Sequence, residues 1–220
     1  MLNPNFFKRD TQIVAIDLLG KVIRSNVENL WLSAQIIETE AYYMNEKGSH
    51  ASLGITDKRK ALFMTPGTIY MYYAHGGDSL NISCAGLGNA VLIKSGIPFP
   101  MVNCDSKTIR LMQMLNPSKS KLEPRPIDKL CNGQTLLCKS LGIKVVDWDQ
   151  KNFNKNKLFI EDKGYIPEKI IQTKRLGIPI GRDNDRLYRF LDFNYAQFAT
   201  SNPLRKRSWA NRSDYIIRAL

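Results

Sequence analysis

The sequence predicts an α+β fold: a single domain with a mostly antiparallel sheet and a few short helices. Runs of strand-like alternation recur through the first half of the chain, parted by Gly-rich turn segments. Helical periodicity is confined to brief stretches near residues 10, 110 and 137. With 220 residues, 43% of them hydrophobic, the chain suits one sizeable core.

Each element has its own local reason. Residues 10–19 read as a helix, with Asp10 or Thr11 to cap it, Val14 and Leu18 on one face, and Gly20 at its stop. Residues 31–42 read as a strand that sets Leu32, Ala34, Ile36, Glu38, Glu40 and Tyr42 on one side. A polar loop over 44–60 ends in Asp57-Lys58-Arg59-Lys60, and Pro66-Gly67 marks a turn. Strands over 68–73, 80–85 and 90–94 form an antiparallel meander whose turns are Gly76-Gly77-Asp78 and Gly86-Leu87-Gly88-Asn89. A helix over 106–115 carries Ile109, Met112 and Leu115 at helical spacing, and a second over 134–141 is stopped by Gly142. Segments 116–128 and 147–157 are polar loops, and 170–178 alternates like a strand. Residues 1–220 read as one domain. Its last stretch, from about 200, is a candidate basic extension carrying Arg205, Lys206, Arg207, Arg212 and Arg218.

Charge points to the partner. Against 20 Asp+Glu stand 32 Lys+Arg, a formal net charge of +12 and a pI near 9.6. Cations that neutralise phosphates release condensed counterions, so a nucleic acid is the natural polyanion. No basic amphipathic helix of the membrane-binding kind occurs, and no apolar run approaches the roughly 18 residues needed to cross a bilayer. Cys84, Cys104, Cys131 and Cys138 include no Cys-x-x-Cys pair, so neither a zinc site nor a disulfide scaffold is expected. The N-terminal stretch lacks a signal-peptide h-region, so the expectation is a cytoplasmic protein, nucleoid-associated in a bacterium.

Strand geometry puts Glu38, Glu40 and Tyr42 on one side, next to apolar residues. A carboxylate desolvated in this way is either paired structurally or serves as an acid/base, and the spacing does not choose between Glu38 and Glu40. Tyr70 and Tyr72 share a face of the next strand, where they serve either as core or as a platform for a nucleobase. His50 and His75, the only histidines, lie in Gly-containing loops.

Read together, Ile37-Glu38-Thr39-Glu40-Ala41-Tyr42, His50, Phe63-Met64-x-Pro66-Gly67-Thr68-Ile69-Tyr70-Met71-Tyr72 and Asn81-Ile82-Ser83 resemble the alkyladenine (3-methyladenine) DNA glycosylase family. Leu18-Leu19-Gly20-Lys21-Val22, Leu130-Cys131-Asn132-Gly133 through Leu141-Gly142-Ile143, and Arg175-Leu176-Gly177-Ile178 extend the likeness from about residue 6 to about 190. The resemblance implies a curved, barrel-like sheet similar to the C-terminal domain of methionyl-tRNA formyltransferase. It also implies hydrolysis of the N-glycosyl bond of alkylated or deaminated purines in double-stranded damaged DNA, by a monomer, with no cofactor and no metal. Glu40 then corresponds to the general base. Tyr42, His50 and Tyr72 hold the flipped base, with the backbone at His50 and Leu176 meeting its edge, and Asn81 crowds purines that carry a 2-amino group. Tyr70, His75 and Lys94 fall among the DNA contacts. His75 stands where the family has an intercalating tyrosine, in a hairpin one residue shorter, and Lys94 stands where it usually has an arginine. No lysine is placed by the motif to act as an amine nucleophile, so the implied enzyme is monofunctional. The alternative reading is a non-catalytic nucleic-acid-binding module, RNA-directed in keeping with the tRNA-binding fold.

Overall fold

In the computed structural model, residues 1–74, 76–100, 105–118, 123–205 and 213–220 are described. The organising element is β2 (Leu30–Tyr42), a strand of 13 residues. Along one edge it pairs with β5 (Ala90–Pro98). Its other edge is shared: β1 (Val22–Val27) takes residues 30–35 and β8 (Arg189–Asp192) takes 38–40. Beyond β5 lie β4 (Gly77–Ser83) and β3 (Ile69–Ala74); beyond β8 lie β7 (Lys169–Thr173) and β9 (Tyr215–Ala219); β6 (Leu158–Glu161) pairs with β1. Every one of these pairings is antiparallel.

The sheet is open, so the barrel-like closure expected from the resemblance does not form among the described residues. Closure requires the outer strands to bond to one another. Here the free edge of β3 is taken up by chain that follows the short helix α4 (Val145–Trp148). Ile69 N donates to Lys151 O, Gln150 N donates to Ile69 O, and Met71 N donates to the Asp149 side chain.

Helix α1 (Thr11–Asp17) starts where the Asp10 carboxylate accepts from Gln12 N and Ile13 N, and the turn after it runs through Gly20 at φ +84, a conformation that favours glycine. Val14, Ala15 and Leu18 seal the main core against β2 and β5. Helices α2 (Ser106–Leu115) and α3 (Gln134–Ser140) complete that core with Ile109, Met112, Leu137 and Cys138. The β3–β4 hairpin sits directly on α3. A Cβ at Gly77 would fall 2.7 Å from Thr135 Cβ, so only glycine allows that approach.

A bulge in the middle of β2 overturns the single-face alternation expected for this strand. Pairing passes from Ile36↔Gly96 to Glu38↔Ser95 and then to Thr39↔Ile93, which leaves Ile37 extra on β2 and Lys94 extra on β5. Before the bulge Leu32, Ala34 and Ile36 face the main core; after it Ala41 does, and Thr39 Oγ1 donates to Ala15 O on that same side at 2.7 Å. Ile37 itself joins a second, smaller core with Ile97, Ile171 and Leu191. Glu38, Glu40 and Tyr42 are thereby moved to the side opposite Leu32, Ala34 and Ile36. Strands β1, β6, β8 and β9 were not anticipated, and β9 makes residues 215–219 part of the sheet rather than an appended tail.

Candidate active site

The second half of β2, the meander β3–β4–β5, the loop around His50 and the loop after β7 enclose a cleft of ≈ 820 Å³. Tyr42, Lys94 and Leu176 line it, and all three touch Glu40, which lies directly behind them with 0% exposure. The Tyr42 hydroxyl donates to Glu40 Oε2 at 2.6 Å, Leu176 N donates to Oε1 at 3.3 Å, and Lys94 Nζ lies 3.3 Å from Oε1. A carboxylate offers about four acceptor sites, so these partners leave roughly one for a further donor. Burial pushes the Glu40 pKa up, but Lys94, the Tyr42 hydroxyl, Arg189 and Leu176 N–H outweigh it and hold the group below its usual value of 4.5. Glu40 is therefore ionised at neutral pH.

One wall of the cleft is the Tyr42 ring. Behind it the Arg175 guanidinium sits 4.5 Å from the ring centroid and 5.6 Å from that of Tyr188. Arg175 is buried and locked: it donates to Glu46 at 2.7 and 3.1 Å and to Ala41 O at 2.8 Å. Burial and the neighbouring Glu40 charge drive the Tyr42 pKa well above 10.0, so its hydroxyl keeps its proton as a donor.

Three other lining residues form an aromatic group. The His50 ring meets Tyr72 edge-on at 4.6 Å, and its Nδ1 lies 2.8 Å from the Tyr70 hydroxyl. Burial, then Arg59 and Arg182, lowers the His50 pKa below 6.5, so the imidazole is neutral at pH 7. Gln134 Nε2 donates to Tyr72 Oη at 3.3 Å and to Ser79 Oγ at 2.9 Å. Asn81 Nδ2 donates to Tyr70 O at 3.2 Å, which fixes the side chain against the β3 backbone.

The seven residues Glu40, Tyr42, His50, Tyr72, Asn81, Lys94 and Leu176 thus converge on one cleft, six in its lining and Glu40 behind it. Tyr70 also lines the cleft; it is 3% exposed, packs with Ala61, Leu62 and Ala90, and its hydroxyl meets His50. Lys94, expected at a phosphate, points to Glu40, because the bulge on β5 re-aims it. His75, Cys104, Lys206, Arg207 and Arg212 lie outside the described residues. Glu38 is not in the cleft: it pairs with Arg189 at 3.2 Å, both side chains buried, and accepts from Thr200 N and Oγ1.

The structure adds residues that the sequence did not single out. Tyr73, 69% exposed, stands at the cleft rim, as do Arg59 and Arg182. Gln134 enters only through the packing of α3 on β4, for which no local signal exists. Arg175 stood inside a quoted motif, yet its place behind Tyr42 depends on a contact with β2 far away in sequence.

Comparison with known proteins gives a consistent picture. The family described as methylpurine-DNA glycosylase (MPG) matches residues 5–195. A Pseudomonas syringae pv. tomato protein named for 3-methyladenine DNA glycosylase is 59% identical over 216 residues, covering 98% of this chain and 96% of its own. A similarly named Pseudomonas aeruginosa protein is 56% identical, over 98% of this chain and 90% of its own. One from Clostridium perfringens is 33% identical, over 86% and 94%.

Proposed function

The chain belongs to the methylpurine-DNA glycosylase family, and from that premise we propose that it excises alkylated or deaminated purines from double-stranded DNA, with a water held by Glu40. Such lesions include 3-methyladenine, 7-methylguanine, hypoxanthine and ethenoadenine, and their hydrolytic release starts base excision repair. A single cleft on one chain suffices, so a monomer is the acting unit. The observation that carries this reading is one ionised carboxylate set behind a cleft with aromatic rings on its walls.

The chemistry fits that arrangement. A glycosyl bond inside a duplex is out of reach, so the nucleotide must rotate outward at a cost of a few kcal/mol. Tyr42, His50 and Tyr72 in the lining of the cleft provide stacking surfaces for a purine, with stacking worth roughly 1–3 kcal/mol per base. A neutral His50 adds no repulsion toward an N-alkylated, positively charged base. Such a base is already a good leaving group. What Glu40 contributes is position and negative charge: it orients the water, accepts its proton as the C–O bond forms, and offsets charge developing on the sugar.

Glu40 has no exposed surface, so water reaches it only after a covering group moves. The Tyr42 ring is backed by Arg175 and the Leu176 contact is backbone, whereas Lys94 is a flexible stem that a rotamer change withdraws. Lys94 turning outward would also let its ammonium meet a DNA phosphate.

The test is base release from duplex oligonucleotides carrying hypoxanthine, 1,N6-ethenoadenine or 7-methylguanine, read as strand breaks after alkali. Release from at least one of them is expected. Tight binding with no release from any lesion would instead favour a binding module.

A further inference from the structure

Lys94 is the one amine in direct contact with the catalytic carboxylate among the described residues. The resemblance puts an arginine at this position, and arginine stays protonated in proteins, so it cannot serve as a nucleophile. Lysine can. The Lys94 side chain is 12% exposed and lines the cleft, and its amine lies 3.3 Å from Glu40 Oε1. A water bound to Glu40 must stand about 3 Å from the anomeric carbon to attack it, which places that carbon roughly 6 Å from the carboxylate. The four-carbon stem of lysine covers this span by rotation.

Resting on the reading that this cleft receives the sugar of a damaged nucleotide, we propose a second activity: after base loss, Lys94 attacks C1′ of the abasic sugar and cleaves the strand by β-elimination. The abasic sugar opens to an aldehyde. Glu40 takes one proton from the Lys94 ammonium, and the amine lone pair adds to the aldehyde carbon. Proton transfer from nitrogen to oxygen gives a carbinolamine. The protonated Glu40 returns its proton to the hydroxyl, which leaves as water and yields an iminium at C1′. Loss of a C2′ proton to the regenerated Glu40 carboxylate forms an enamine, whose electron pair expels the 3′ phosphate and breaks the C3′–O bond. Water then hydrolyses the imine and frees Lys94, leaving an unsaturated aldehyde on the sugar. No oxidant or metal enters the balance.

The experiment uses the full chain and a duplex whose abasic site is prepared in advance from uracil, so it does not depend on excision by this protein. Cyanoborohydride reduces an iminium to a stable amine, and the trapped complex is read on a denaturing gel and by peptide mass mapping. A covalent adduct on the Lys94 peptide, with a nick on the 3′ side of the abasic site, is expected, and Lys94→Arg should lose both. Release of hypoxanthine, 1,N6-ethenoadenine and 7-methylguanine by the same preparation is measured in parallel. No adduct from a preparation that releases any of the three overturns the second activity and leaves the glycosylase reading intact. An adduct on Lys58, which also lines the cleft, or on any other amine, overturns it too. A Lys94 adduct from a preparation that releases none of hypoxanthine, 1,N6-ethenoadenine and 7-methylguanine upholds this inference and removes the glycosylase reading. Mapping on the unmodified chain decides the matter even if the variant unfolds.

Discussion

The Tyr42 hydroxyl donates a 2.6 Å hydrogen bond to Glu40 Oε2, so the ring that forms one wall of the cleft also orients the carboxylate beneath it. The two roles separate by substitution. Tyr42→Phe keeps the ring and loses a hydrogen bond to a charged group, a loss of about 1.5–3 kcal/mol, or roughly ten- to hundredfold in the single-turnover rate. Affinity for abasic DNA should hardly change. Tyr42→Ala should lose rate and affinity together. Equal behaviour of the two variants in both measurements would show that the hydrogen bond does nothing for the reaction.

The Lys94–Glu40 contact predicts a pH effect. Burial raises the Glu40 pKa and Lys94 is the largest influence opposing it. The reaction needs the carboxylate, so activity is lost as pH falls through that lowered pKa. In Lys94→Met burial is opposed less, the pKa rises, and the acid limb of kcat/KM moves to higher pH. Stability follows the same sign. A depressed folded pKa stabilises above the unfolded value and is lost as pH falls through the folded one, so the variant should lose this contribution at a higher pH. An acid limb that stays in place would contradict the coupling.

Glu38 is predicted to be structural. Removing one partner of a buried ion pair costs about 3–5 kcal/mol, and for a chain of this size each kcal/mol lowers Tm by about 2–4 °C. Glu38→Ala should therefore lower Tm by roughly 6–20 °C, through loss of the buried Glu38–Arg189 ion pair. Base release by the folded protein at low temperature should be retained. A thermal melt paired with a single-turnover assay checks both halves.

The rim carries charge suited to phosphates. Lys58, Arg59 and Arg182 line the mouth, and Arg182 Nε is held by Lys47 O at 2.9 Å. Log affinity for duplex DNA should fall linearly with log salt, and Lys58→Ala should reduce that slope by about 1 if the ammonium meets a phosphate. An unchanged slope would place the DNA path elsewhere.

Much of the site was legible because strand geometry and motif order are local properties. The Asp10 cap, Gly20, the hairpin before Asn81 and the Glu40–Tyr42 pair all emerged from residues close in sequence. The bulge did not, because Ile36 and Ile37 are both apolar and branched, so hydropathy cannot tell which of them is extra. Without the bulge Lys94 appeared as an outward cation. The strand expected over 170–178 stops at Thr173, and the chain beyond it, with Arg175 donating to Ala41 O and Leu176 N to Glu40, becomes a wall of the cleft. Alternation continues through that wall and conceals the change. Strands β8 and β9 leave no signal in the sequence because each is only four or five residues long and is defined by partners distant in sequence.

The most direct test of the account is single-turnover base release by Glu40→Gln on duplex DNA that the unmodified chain processes. Glutamine keeps the shape of the side chain but removes its charge and its capacity to take a proton. The account predicts that this variant still binds abasic-site DNA and releases no base. Base release at the unmodified rate would contradict it.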